Sequence, residues 1–119
     1  MTNTKRNVIR EKSFNFALEI ISLNQKLVTQ NEYVISRQLL KSGTSIGANV
    51  EEAGAAQSKR DFIAKMSIAS KEARETKYWL RLLKYSNLLE FDDENYLKEV
   101  SEIVNILTAI VKTSQENLR

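Results

Sequence analysis

At 119 residues, with 42% apolar and 28% charged side chains, the chain is large enough for one hydrophobic core and no more. It has no cysteine, no histidine and no proline. This excludes disulfides, Ser-His and Cys-His nucleophiles, His/Cys zinc sites and the Glu-x-x-His pairs of di-iron bundles. The net charge of +3 is too small to name a partner by itself.

Three glycines and no proline leave few breaks, which favours long helices. The N-terminal string MTNTKRNVIREK lacks the apolar segment of a signal peptide. No apolar run approaches the roughly 20 residues of a membrane span. A cytoplasmic chain with no membrane partner is therefore expected.

Residues 1–7 are polar and read as a flexible tail. Residues 8–119 read as a single domain. Helix 1 starts near Val8 or Ser13 and ends at Val28. It carries two apolar rows: Phe14, Leu18, Ile21 and Val28, and beside them Phe16, Ile20, Leu23 and Leu27. One row suffices for a bundle seam, so the other is expected to meet a neighbour. Thr29 to Asn31 form the turn, with Asn31 or Thr29 as cap.

Helix 2 spans about Glu32 to Ala56 and contains the string SGTSIGANVEEA from Ser42 to Ala53. Gly43 and Gly47 stand four residues apart among small neighbours and make a groove into which another helix can settle. Gly43 could instead be a C′ glycine, with Thr44 or Ser45 capping a further short helix. The apolar row Ile35, Leu39, Ile46 and Val50 keeps its helical phase across both glycines, which favours one continuous helix. A phosphate-binding loop does not fit, because three residues separate the glycines and no Lys-Ser or Lys-Thr follows.

Ser58 to Asp61 reads S-x-x-D, an acidic form of the capping box, and opens helix 3, which runs to about Leu88. Its seam is Phe62, Met66, Ala69, Ala73, Thr76, Leu80 and Leu83, at alternating steps of four and three. That heptad spacing predicts neighbours crossing at roughly 20°. The narrow middle of the seam, Ala69 and Ala73, is expected to meet Gly43 and Gly47. Asn87 to Phe91 form the next turn. Asp92 is the expected cap of helix 4, with Phe91 and Tyr96 as a hydrophobic staple. Helix 4 extends to about Asn117, with seam Leu97, Val100, Val104, Leu107 and Val111 and a second row at Ile103, Ile106 and Ile110. Four helices with short turns predict an all-α, antiparallel up-down four-helix bundle.

The string SIGANVEEA, with QLLKSGT before it and SIASKEARETKYWL after it, resembles the four-helix-bundle proteins encoded by intervening sequences in bacterial 23S rRNA genes. That group is similar to the accessory variability proteins of retroelements. The resemblance runs from about Lys12 to the end of helix 4. It rests on Gln38, Ser45, Ile46, Asn49, Glu52, Ala69, Glu72, Glu75, Tyr78, Trp79 and Leu80. Ala53 stands where many relatives carry glycine. The resemblance implies a bundle assembling as a homopentameric ring, and nucleic-acid binding in the retroelement branch. It implies no reaction.

Polar residues at or beside the seams have two readings. Asn49, Glu52 and Glu75 could line a pocket, or form a buried polar network that sets helix register; the second reading is preferred, and Gln38 and Ser45 join them in a structural polar motif. A carboxylate-only metal site around Glu51, Glu52, Glu72 and Glu75 is the remaining route to an enzyme. Ser58-Lys59 and Ser70-Lys71 are adjacent pairs whose side chains point about 100° apart on a helix and do not meet locally. Nothing in the sequence calls for a cofactor or a small-molecule substrate.

Charge carries more information. Lys59 to Tyr85 holds eight basic and three acidic residues, while Glu90 to Arg119 holds seven acids and three bases. On a helical wheel Arg60, Lys71, Arg74, Lys77, Arg81 and Lys84 share one edge of helix 3 with Tyr78 and Tyr85. Asp61, Glu72 and Glu75 lie on the other edge with Ile68, Trp79 and Leu82. Cations three or four residues apart repel by a few tenths of a kcal/mol per pair. Something anionic is expected opposite them. Helix 4 is one candidate, with Glu99 facing Arg81 and Glu102 facing Lys77. A phosphate backbone, with tyrosines available for stacking, is the other.

Ile68, Trp79 and Leu82, with the spare row of helix 1, form an apolar surface of the kind monomers avoid, and a ring of subunits would bury it. The sequence thus points to a non-enzymatic oligomer binding RNA or DNA through Arg60, Lys71, Arg74, Tyr78, Arg81 and Tyr85. A protein-interaction scaffold without a nucleic-acid partner is the alternative, and a carboxylate-metal enzyme comes third.

Overall fold

The computed structural model describes residues 3–87 and 94–118, with side chains from Asn7 onward. It contains four helices and, among the described residues, no strand: α1 (Asn3–Thr29), α2 (Val34–Gly54), α3 (Lys59–Ser86) and α4 (Glu94–Leu118). The body measures 48 × 21 × 20 Å, the shape of a helical bundle.

α1 begins at Asn3 rather than at Val8 or Ser13. Residues 3–7 contain neither glycine nor proline to stop the helix from extending upstream. Its two apolar rows separate as expected. Phe16, Ile20, Leu23 and Leu27 are buried, whereas Phe14, Leu18, Ile21 and Val28 are exposed. Thr29 is the last helical residue, and the helix closes in a Schellman motif. Asn31 takes the left-handed conformation (φ 66°). Its N–H donates to the Val28 carbonyl at 2.9 Å, and the Glu32 N–H donates to the Leu27 carbonyl at 2.9 Å.

The cap of α2 is neither Asn31 nor Thr29. The Glu32 carboxylate accepts from the backbone N–H groups of Val34, Ile35 and Ser36, at 3.2, 3.1 and 2.6 Å. A carboxylate here also meets the positive end of the helix dipole. α2 then runs unbroken through both glycines, neither of which has positive φ.

The partner of the glycine groove is corrected. A Cβ placed on Gly43 would lie 2.9 Å from the side chain of Ile20, and one on Gly47 3.4 Å from the carbonyl oxygen of Ser13. Both neighbours belong to α1, not to Ala69 and Ala73. Small residues announce a close approach without naming the helix that makes it. α3 meets α2 one position earlier. The buried Thr76 hydroxyl donates to the Glu72 carbonyl at 2.7 Å and lies 2.9 Å from the buried Ser42 hydroxyl.

Ser58 caps α3 as predicted, accepting from the Asp61 N–H at 3.0 Å, while the Asp61 carboxylate accepts from the Gln57 N–H at 3.3 Å. All seven seam residues, Phe62 to Leu83, are buried. Asn87 ends the helix in the left-handed conformation (φ 54°). The Asp92 cap, the Phe91 side of the staple, and Leu88 lie outside the described residues. In α4 the core side falls between the two predicted rows. Val100, Ile103, Val104, Leu107 and Ile110 are buried, and Leu97, Ile106 and Val111 are partly buried beside them.

Contacts between neighbouring helices pair early residues with late ones. Arg10, Ser13, Ile20 and Asn24 of α1 meet Glu51, Gly47, Gly43 and Ser36 of α2. Glu52 and Ser42 of α2 meet Lys65 and Thr76 of α3. The core runs along the axis between the four helices.

Candidate nucleic-acid interface

α3 packs on α2 and α4 and turns its remaining face outward. Arg60, Lys71, Arg74, Tyr78, Arg81 and Tyr85 are all exposed on it, and Lys77 is half-buried. The acids proposed to neutralise this row are engaged elsewhere. Glu99 and Glu102 of α4 both pair with Lys12 of α1, at 3.5 and 3.0 Å, and not with Arg81 and Lys77. The Glu102 carboxylate holds the Lys12 ammonium above its ordinary range, and the same contact lowers the Glu102 carboxyl. Charge counts along α3 and α4 could not reveal a competing cation from the far end of the chain.

Arg74 reaches α4 through a hydroxyl instead, donating to Thr108 at 3.0 Å, while Thr108 donates to the Val104 carbonyl at 2.7 Å. Arg60, Lys71, Lys77 and Arg81 make no ion pair among the described residues.

The aromatic residues are arranged by their own helix. Tyr78 and Trp79 meet edge to face, with centroids 5.2 Å apart and planes at 67°. The Trp79 indole N–H donates to the Glu75 carboxylate at 3.1 Å, which fixes the indole. The Lys84 ammonium lies 5.4 Å from the centroid of the Tyr85 ring. Tyr78 and Tyr85 nevertheless remain 53% and 67% exposed. The two edges drawn on the helical wheel therefore join at the Tyr78–Trp79 contact.

Of the residues proposed for self-association, Ile68 and Leu82 are exposed, whereas Trp79 is half-buried. The spare row of α1 presents more apolar surface than they do, led by Phe14 at 63% exposure.

The buried polar network is corrected. Gln38, Glu52 and Glu75 are exposed, and Ser45 and Asn49 are half-buried. Asn49 donates only within α2, to the Ser45 carbonyl at 2.9 Å and hydroxyl at 3.2 Å. Glu52 pairs with Lys65 at 2.8 Å, which raises the lysine pKa. Among the described residues the buried polar side chains are Ser13, Ser36, Ser42 and Thr76, small enough to bond to backbone or to one another.

Three of the four carboxylates considered for a metal have separate partners. Glu51 pairs with Arg10 at 3.3 Å, Glu52 with Lys65, and Glu75 with Trp79. Among the described residues no three His, Cys, Asp or Glu side chains gather into a metal-binding group. A cleft of about 430 Å³ at one end, between the α2–α3 turn and Ser114 and Asn117, offers Ser58, Gln57 and Lys59 but no acid-base pair. Among the described residues no helix is long and apolar enough to cross a membrane.

Known proteins place this fold. A crystal structure of a protein of unknown function from the S23 ribosomal protein family of Bacteroides thetaiotaomicron superposes with a TM-score of 0.86. The two share 47% identity, over 91% of this chain and 98% of the other. No curated protein matches significantly. The family model for the 23S rRNA-intervening sequence protein matches residues 5–109, and the chain belongs to that family.

Proposed function

We propose that this protein is a non-enzymatic, cytoplasmic oligomer that binds RNA or DNA through the outward face of α3. The observation that carries the reading is the unpaired state of Arg60, Lys71, Lys77 and Arg81 among the described residues, while Glu99 and Glu102 are held by Lys12. A row of like charges that the fold leaves unneutralised fits an external anion, and phosphates at regular spacing suit a regular row.

The wider architecture follows the same reading. The order of helix contacts supports an antiparallel up-down bundle. The outward row of α1, together with Ile68 and Leu82, supports assembly into a ring, which the family resemblance makes a pentamer. A ring would repeat the basic face and add affinity with each copy.

The exposed α1 row also favours the second reading, a protein-interaction scaffold with no nucleic-acid partner. One experiment separates the two. Replacing Lys71, Arg74 and Arg81 by Gln keeps helix propensity and removes three charges. Under the leading reading the variant keeps its fold and assembly but loses affinity for nucleic acid of any sequence, measured by mobility shift across a salt series. The log-log salt slope becomes shallower by roughly one unit per lost contact. Absence of wild-type binding at low salt moves the assignment to the scaffold.

A further inference from the structure

Lys71, Arg74, Tyr78, Arg81 and Tyr85 follow one another at steps of three, four, three and four residues. That spacing holds side chains in one row along a helix. All five are exposed, so cations and rings are interleaved over about 21 Å at 1.5 Å per residue. Each ring has one contact from its own helix, Tyr78 with Trp79 in an edge-to-face pair and Tyr85 with the Lys84 ammonium. Over half of each tyrosine still faces solvent. Charge alone gives no reason for rings in this row. Two tyrosines outside the core, one leaning on an indole that a hydrogen bond fixes, are placed for a flat ligand.

We infer that the α3 face, if it binds nucleic acid as proposed above, takes a single strand in preference to a duplex. A duplex stacks its bases on one another and presents phosphates and base edges, so the open faces of Tyr78 and Tyr85 find no partner there. A single strand offers unstacked bases, and stacking on an aromatic ring tolerates any base. Tyr78 and Tyr85 stand about 10 Å apart along the axis, so each receives its own base. Arg81 lies between them and Lys71 and Arg74 lie to one side, where the linking phosphates pass.

The test measures fluorescence anisotropy of a labelled 20-nucleotide single strand, as oligo-dT and as oligo-rU, and of a duplex of mixed sequence and equal length. Wild type is compared with Tyr78→Leu/Tyr85→Leu, which keeps apolar volume and helix propensity but removes both rings, and with Tyr78→Phe/Tyr85→Phe, which keeps them. The expected result is tighter wild-type binding of a single strand, in either sugar form, than of duplex. The Leu variant loses roughly 5- to 100-fold per ring on the single strand and nothing on the duplex, and the Phe variant binds as wild type. Circular dichroism confirms that the Leu variant is folded. Equal or tighter binding of duplex, or single-strand binding unchanged in the Leu variant, overturns the inference and leaves a purely electrostatic face. Failure of wild type to bind any probe at low salt overturns the nucleic-acid reading itself.

Discussion

Gly43 and Gly47 are one turn apart on α2, but they ask different things of α1. A methyl at Gly43 would meet the Ile20 side chain at 2.9 Å, a distance that forces something to move. A methyl at Gly47 would meet the Ser13 carbonyl at 3.4 Å, an ordinary contact. Gly43→Ala is therefore expected to lower stability by about 1–3 kcal/mol through overpacking, after any gain in helix propensity. Gly47→Ala is expected to be neutral or to stabilise by up to about 1 kcal/mol, because alanine favours the helix. Thermal melting of the two variants decides, and the reverse order would mean that α1 approaches α2 elsewhere. Both glycines were visible in the sequence as a groove. Their partner was not, because Ile20 and Ser13 carry no mark of facing a glycine.

At the scale of the element, legibility depended on how many apolar rows a helix carries. α3 has a single heptad row, and all seven of its residues are buried. α4 has two adjacent rows, and periodicity alone could not say that the core lies between them. Ion pairing was harder still. An antiparallel α3–α4 pair offers Glu99 to Arg81 and Glu102 to Lys77 as one candidate pairing, yet Lys12 of α1 holds both acids. The candidate interface was legible as composition; that Arg60, Lys71, Lys77 and Arg81 make no ion pair among the described residues became visible only when Lys12 was placed.

The α1–α4 seam has a consequence in pH. Partial burial, and then the charge of Glu99, pushes the Glu19 carboxyl above its ordinary range. A raised carboxyl binds its proton more tightly folded than unfolded. It therefore favours the fold at pH values below the unfolded pKa, and this contribution is lost as pH rises through the folded pKa. At neutral pH the ionised Glu19 opposes folding. Glu19→Gln is expected to raise the melting temperature at pH 7, with the gain fading as pH falls through the raised folded pKa and gone below the unfolded value of about 4. A gain that persists unchanged at pH 3 would mean that repacking, not charge, is responsible.

For the whole molecule, the outward row of α1 sets the expectation. Phe14, Leu18, Ile21 and Val28 lie along one side of a helix whose other side is in the core. Light scattering is expected to give several times the 13.7 kDa chain mass. Leu18→Glu, which keeps the helix and places a charge in the row, is expected to shift the distribution towards single chains with helicity retained. A monomeric wild type at micromolar concentration would remove the ring, and with it the gain from repeated basic faces.

The row on α3, whose Lys71, Lys77 and Arg81 make no ion pair among the described residues, would link a ligand to the fold. Lys71, Arg74, Lys77 and Arg81 repel one another at steps of three or four residues, and an anion laid along the helix would relieve that repulsion. A partner bound there would thus stabilise the folded chain as well as being its cargo. Dissolved salt would act on the two roles with opposite sign. By screening the cations from one another it steadies the empty protein, and by screening them from phosphate it loosens the grip of the filled one.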